Sequence, residues 1–194
     1  DSDLIVGIGS GVIQDLCKYV AKYDHLPYMV VATAPSMDGF ASDTAPIIEN
    51  NFKNSWKAEQ PMVIIADTKI LAKAPVELKA AGFGDMIAKY IGLFDWRLAN
   101  LLIDEYYCPA VADITMQGVQ KVVDLADKVS GEDEEAAGSI MEGLILSGLG
   151  MKLAKSSRPA SGAEHHISHL IDLRPVGLGP VRGASHGEQV GVGT

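Results

Sequence analysis

Cysteine is nearly absent from this sequence. Cys17 and Cys108 are its only two, each in an apolar or helical setting. Two isolated cysteines do not make the disulfide framework of a small secreted domain, so a reducing cytoplasm is the expected compartment. Basic residues are short too: 16 Lys and Arg stand against 25 Asp and Glu, for a formal net charge of -9. That balance lacks the positive footprint a nucleic-acid backbone needs, which excludes DNA and RNA as expected partners. A small anion is not excluded, because a helix terminus or a metal outweighs distant charges locally. No basic-then-apolar leader opens the chain, and no apolar run reaches membrane-spanning length. The nearest, residues 139–151 (SIMEGLILSGLGM), is broken by Glu142 and several small residues. There is no internal repeat and no low-complexity tract.

What is present is ordinary globular material, 47% hydrophobic and 21% charged over 194 residues, enough for one sizeable core or two modest ones. Leu4 to Ile8 (LIVGI) is a continuous apolar run ending in Gly-Ser-Gly, the pattern of a strand buried on both faces before a tight turn. Residues 11–23 follow with helical spacing, Val12, Leu16, Tyr19, Val20 and Tyr23 on one side. Tyr28 to Thr33 and Met62 to Ala66 read as two more buried strands. Strand, helix, strand implies a right-handed crossover and a parallel sheet. Between the second and third strands, residues 34–60 read as a functional loop plus a hairpin. From there the period is helical, over 81–104, 110–129 and 133–155. Gly131 ends one helix, and the acids at 132–135 suit the positive start of the next. The expected architecture is an α/β part, residues 1–75, holding an incomplete dinucleotide-binding fold on a parallel sheet, and an all-α metal and substrate domain, residues 76–194. The first apolar run begins without a lead-in and the final HGEQVGVGT opens a helix that stops, so the chain reads as a C-terminally cut segment of a longer protein.

Four motifs carry chemistry. Gly7 to Asp15 (GIGSGVIQD) joins strand to helix through glycines, which lets a pyrophosphate approach backbone N–H groups at a positive helix end. A tight turn without ligand is the alternative. Thr33 to Ser42 (TAPSMDGFAS) follows the next strand, and ligands of open parallel sheets bind beyond the carboxyl ends of the strands. Gly82-Phe83-Gly84-Asp85 reads as the head of a helix, where a lone carboxylate is usually a cap. Finally, four of the five histidines fall between residues 165 and 186. Convergent imidazoles with a carboxylate suit a divalent ion of the Zn, Fe or Ni kind. Spacing alone pairs His165 with His169 at i, i+4 and leaves open which of them is a ligand. His25, Trp56, Trp96 and the Tyr106-Tyr107 pair read as surface or packing residues.

Taken in order, GSGVIQD, TAPSMDGFAS, GFGDMIAKY, SRPASGAEHHISH and HGEQVGVGT resemble the sn-glycerol-1-phosphate dehydrogenases, the bacterial branch more than the archaeal. These belong to the wider group of iron-type alcohol dehydrogenases, glycerol dehydrogenases and dehydroquinate synthases, whose dehydroquinate synthase-like fold is thereby implied. The resemblance runs over nearly the whole chain. It implies an oxidoreductase of phospholipid biosynthesis that reversibly transfers hydride between NAD(P)H and dihydroxyacetone phosphate. Gly11, Val12, Ile13, Gln14, Asp15, Thr33, Ala34, Pro35, Ser36 and Ser42 match cofactor-binding positions. Asp38 matches a substrate contact. Asp85 matches a residue that binds metal and substrate, and His165 and His186 match the other two ligands of one zinc or nickel ion, with iron as a third choice. His169 matches a substrate contact with a part in catalysis rather than a ligand, which replaces the pairing that spacing offers. Family members associate as homo-oligomers and are longer, with an earlier βαβ segment and further C-terminal helices. The alternatives are a dehydrogenase of an unphosphorylated polyol and a dehydroquinate synthase-like lyase, the latter needing more basic residues than Lys155 and Arg158 supply.

Overall fold

The structure is a computed structural model and describes residues 2–49, 52–172 and 184–194. Apolar runs form a three-stranded parallel sheet in the order β1 (Ile5–Gly9), β2 (Tyr28–Ala32), β5 (Val63–Ala66). Helix α1 (Gly11–Tyr23) makes the crossover from β1 to β2. The hairpin expected between the last two strands is β3 (Thr44–Glu49) with β4 (Phe52–Lys57), antiparallel. It is preceded by a 3-10 turn over Asp38–Ala41.

The helical part begins with the short α2 (Thr68–Ala72). It continues with α3 (Val76–Ile103), α4 (Pro109–Val123), α5 (Glu134–Ala154), α6 (Ala163–Asp172) and α7 (His186–Gly193). Asp133 caps α5 by accepting the Ala136 N–H at 2.8 Å, and Glu134 and Glu135 fill its first turn, as the acidic run at 132–135 implied. Among the described residues no helix is long and apolar enough to cross a membrane. Both cysteines are free.

Two differences from the sequence reading matter. The apolar stripe of α1 faces outward: Val12 is 75% exposed, with Leu16, Val20 and Tyr23 also exposed, while Gln14, Lys18 and Ala21 are buried. The helix packs its polar side on the sheet because those polar groups have work there. Lys18 donates to the carbonyls of Gly39 (2.8 Å) and Thr44 (2.6 Å) and to the Ser42 hydroxyl, fastening the 38–44 segment to α1. The second difference is Asp85, which lies ten residues inside α3 rather than at a helix head.

The core crosses from the sheet into the helices. Tyr28, Val30 and Ala32 of β2 pack with Leu71 and Ala72 of α2 and with Ala137 and Met141 of α5. Further clusters join α3, α4 and α5 through Met86, Val119, Val122, Ile140 and Leu144, and α3 to α4 through Leu93, Trp96, Val111 and Ala112. The opposite face of the sheet is bare. Val6, Met29 and Val63 are in register across it, as are Ile8, Val31 and Ile65, and the members on β1 and β5 are exposed.

Candidate metal and cofactor site

Glycines in α3 bring three distant segments together. A Cβ on Gly82 would stand 1.8 Å from the Pro35 carbonyl oxygen, and one on Gly84 would stand 2.4 Å from the Gly187 carbonyl oxygen. Only hydrogen fits at either place, so the loop after β2 and the start of α7 lie directly against α3. Asp85 is the next residue, and it is fully buried. Its Oδ2 accepts the backbone N–H of Asp38 at 2.8 Å, and its Oδ1 accepts from Lys89, one turn on, at 2.6 Å.

From the other side, α6 and α7 deliver two imidazoles. His165 and His186 have ring centroids 5.0 Å apart. One carboxylate oxygen of Asp85 and one ring nitrogen from each histidine lie within 4.8 Å of one another. Oxygen and nitrogen ligands about 2.0–2.2 Å from a tetrahedral ion stand about 3.4 Å apart, so closing on an ion needs movements of about an ångström. One carboxylate and two imidazoles form a mixed N/O donor set suited to a borderline divalent ion. His169 is outside this group. It is exposed on α6, its ring 6.3 Å from that of His166 and edge-on to it. The i, i+4 pairing offered by spacing is therefore not the arrangement the fold makes.

Asp38 and Lys89 extend the cluster. Asp38 Oδ2 lies 2.8 Å from Lys89 Nζ and accepts from the Ser147 hydroxyl at 2.9 Å. Burial alone would push the Asp38 carboxyl up, but the Lys89 ammonium, helped by His165 and Ser147, outweighs it and holds the carboxyl at about 2. Burial likewise lowers Lys89, and the two carboxylates overcome this to raise it. Burial also pushes the Glu164 carboxyl up. The hydrogen bonds it accepts from His165 and the Gly162 N–H prevail, so it sits below the usual range.

The two cofactor motifs are neighbours. The Thr33 N–H donates to the Gly9 carbonyl at 3.2 Å, and the hydroxyls of Ser10 and Ser36 are hydrogen-bonded to each other. Gln14 is buried and donates to the Gly9 carbonyl at 2.9 Å, so its side chain straps the glycine turn. Ser42 turns its hydroxyl inward, toward Lys18 and the Thr44 carbonyl. Val12 and Ile13 point outward. Beyond the end of β2 an open cleft of about 490 Å³ is lined by Thr33, Ala34, Lys69, Ile70, Lys73 and Leu78, among others. Arg158 is committed elsewhere, in a bidentate pair with Glu105 at 2.8 and 2.7 Å. The Pro- and Gly-rich stretch 173–184 lies, but for Ala184, outside the described residues.

Sequence reasoning missed Lys89, Ser147, Glu164, Ser168, Lys69 and Lys73. Lys89 had a signal, since it stands four residues after Asp85 and shares its helix face. Ser147 had none, because nothing in a sequence announces a contact across 109 residues.

Both the sequence and the fold have known relatives. Residues 1–75 match the family described as iron-containing alcohol dehydrogenase. The fold matches a probable glycerol dehydrogenase from Sinorhizobium meliloti with a TM-score of 0.80 at 25% identity, over 99% of this chain and 54% of that one. It also matches an iron-containing alcohol dehydrogenase from Thermotoga maritima, with a TM-score of 0.73 at 16% identity, over 98% of this chain and 53% of that one. The fold is thus that of these dehydrogenases, and residues 1–75 resemble the iron-containing alcohol dehydrogenase family in sequence. Over its full length the chain is similar in sequence to glycerol-1-phosphate dehydrogenases. It is 40% identical over its full length to 48% of the enzyme from Geobacillus stearothermophilus, and 39% identical over its full length to 53% of that from Methanosarcina barkeri. The chain therefore spans about half the length of the curated relatives it matches, and overall identity does not separate the two branches.

Proposed function

We propose that this protein is a cytoplasmic, metal-dependent NAD(P) dehydrogenase that reversibly reduces dihydroxyacetone phosphate to sn-glycerol 1-phosphate. The convergence of Asp85, His165 and His186 within 4.8 Å carries the reading, because three separate helices bring one carboxylate and two imidazoles to one point. In this reading they hold one divalent ion, which supplies Lewis acidity at the substrate carbonyl oxygen. Asp38, held by Lys89 and Ser147, orients the substrate hydroxyls beside it. His169, outside the ligand set, contacts substrate. The dinucleotide lies along the glycine turn and the Thr33 to Ser36 loop, with Gly11 to Asp15 opening the helix beneath its phosphates and Ser42 behind the loop. Lys69 and Lys73 add positive charge to the cleft at Thr33 and Ala34, which suits an anionic cofactor. The domain division near residue 75 then parts the cofactor motifs from the metal ligands, with Asp38 reaching across it to the substrate, and the protein works as a homo-oligomer.

A second reading, a dehydrogenase of an unphosphorylated polyol, is favoured by one observation. The ammonium nearest the ligands, Lys89, is already engaged by Asp38 and Asp85 and so is not free for a phosphate. A dehydroquinate synthase-like lyase is disfavoured, since Arg158 is tied to Glu105.

Two measurements test the proposal. Metal analysis of Asp85→Ala, His165→Ala and His186→Ala should show loss of the bound ion. His169→Ala should keep the ion and lose turnover; release of the ion from that variant instead would make His169 a ligand. Steady-state kinetics with dihydroxyacetone and its phosphate decide the substrate. Binding energy from a remote phosphate is expressed partly in turnover, so the phosphorylated ketone should win in kcat as well as KM. Comparable kcat/KM on the two ketones would leave the polyol reading standing.

A further inference from the structure

Behind each of the two candidate histidine ligands stands a buried polar group that decides where the ring carries its hydrogen. Glu164 is completely buried. Its Oε1 accepts the Gly162 N–H at 2.8 Å and lies 2.6 Å from His165 Nδ1. Oε1 is already placed as an acceptor by the Gly162 N–H, so the hydrogen in its contact with the ring belongs to Nδ1. A neutral ring then has its lone pair on Nε2.

The argument at His186 runs through three side chains. Gln189 Nε2 donates to the Ala184 carbonyl at 3.0 Å, which sets the amide so that Oε1 faces Ser168. The buried Ser168 hydroxyl gives its single hydrogen to that oxygen at 2.8 Å. Toward His186 Nδ1, 3.4 Å away, the hydroxyl has only lone pairs left, so Nδ1 is again the donor. The two rings thus reach the same tautomer by different routes.

Stability alone is a poor account of Glu164. Its Oε2 is buried with no hydrogen-bond partner among the described residues, an arrangement that costs free energy. We propose that Glu164 and the Ser168–Gln189 pair are positioning residues that hold His165 and His186 as Nδ1–H tautomers, so that both present Nε2 lone pairs, beside the Asp85 carboxylate, to one divalent cation. This rests on the metal reading of the Asp85, His165 and His186 cluster and specifies it: both imidazoles bind through Nε2, and their readiness exists before the ion arrives.

The test separates the two claims by reading tautomers without metal. Chelator-stripped protein labelled with 15N-histidine is examined by long-range 1H–15N correlation at about pH 8, above the ordinary histidine range. Zinc affinity is measured separately, by competition with a chelating dye. Wild-type His165 and His186 should both show Nδ1–H. Glu164→Met should release His165 from that form while leaving His186 in it, and should weaken zinc about 10- to 100-fold. Ser168→Ala should do the same to His186 alone. Glu164→Gln retains an acceptor and should restore the His165 tautomer and much of the affinity, a rescue that a mere helix-capping role would not produce at the ring. An Nε2–H signal for either ring in the wild type overturns the inference. So does unchanged zinc affinity in both Glu164→Met and Ser168→Ala. A wild-type protein that shows both Nδ1–H tautomers yet takes up no zinc overturns the metal centre, and the inference with it.

Discussion

A lysine with no exposure, placed between two carboxylates, is informative about what the site is built to hold. Lys89 stands 2.6 Å from Asp85 and 2.8 Å from Asp38, so it neutralises charge that would otherwise be buried unpaired. Removing one partner of such a cluster is far more costly than never having built it, about 3–5 kcal/mol. Lys89→Met should therefore lower the unfolding free energy by about that amount in metal-free protein. A divalent ion taken up by Asp85 supplies positive charge at the same place, so zinc should recover part of the loss. Urea unfolding with and without zinc measures both, and a variant as stable as wild type without metal would mean that the carboxylates do not depend on this ammonium. The same cluster marks the limit of reading residues from sequence. Asp85, His165 and His186 were reachable through the motif resemblance, because each sits in a distinctive string. Spacing misdirected at His169, since i, i+4 says only that two side chains share a helix face, not that a third element arrives to meet one of them. Asp85 looked like a helix cap because the helical period reads from residue 81, whereas α3 begins at Val76. Gly82 and Gly84 lie inside that helix and are glycine for another reason.

That reason belongs to the elements. Helix α3 passes so close to the Pro35 carbonyl that a methyl group at Gly82 has nowhere to go. Glycine inside a helix normally costs about 0.5–1 kcal/mol relative to alanine, so a substitution to alanine should by default stabilise. Gly118→Ala in α4 should follow the default, because its Cβ would meet only ordinary contacts at 3.5 Å with Gly143 and Met86. Gly82→Ala should reverse the sign and destabilise by about 1–3 kcal/mol, as overpacking does, while displacing the Thr33 to Ser36 loop and weakening dinucleotide binding. Thermal unfolding and cofactor titration of the two variants check the contrast. Equal, small effects at both positions would show that α3 and the loop are not in contact. Much at this scale was legible beforehand: three strands from their apolar runs, though burial on both faces holds for none of them, the crossover from their order, the hairpin within residues 34–60, and the acidic start of α5. The orientation of α1 was not. Periodicity finds an apolar stripe and cannot say that the polar stripe opposite will be buried, as it is here to place Lys18 against Gly39, Ser42 and Thr44.

At the scale of the whole molecule, the outward stripe of α1 and the bare sheet face belong together. Strands of a parallel sheet are ordinarily covered on both faces, and their unbroken apolar runs reflect it. Here the runs are present and only one face is covered: Val30 is fully buried, while Ile8, in register with Val31 and Ile65 on the other side, is 64% exposed. The chain also spans about half the length of its curated relatives, at 48% of one and 53% of another. The two sides of the sheet can be compared directly. Val30→Ala should cost about 2 kcal/mol, since it removes buried methyl groups and leaves a cavity. If the 194 residues fold with the second face in water, Ile8→Ser should change stability by no more than about 0.5 kcal/mol, as surface substitutions do. It should also reduce binding of a dye that senses apolar surface. The contrast depends on register alone, because Ile8 and Val30 sit on adjacent strands of one sheet and differ in which way they point. A cost at Ile8 equal to that at Val30 would mean that the outer face is covered in the working protein. The apolar runs that first identified these strands would then be explained on both sides.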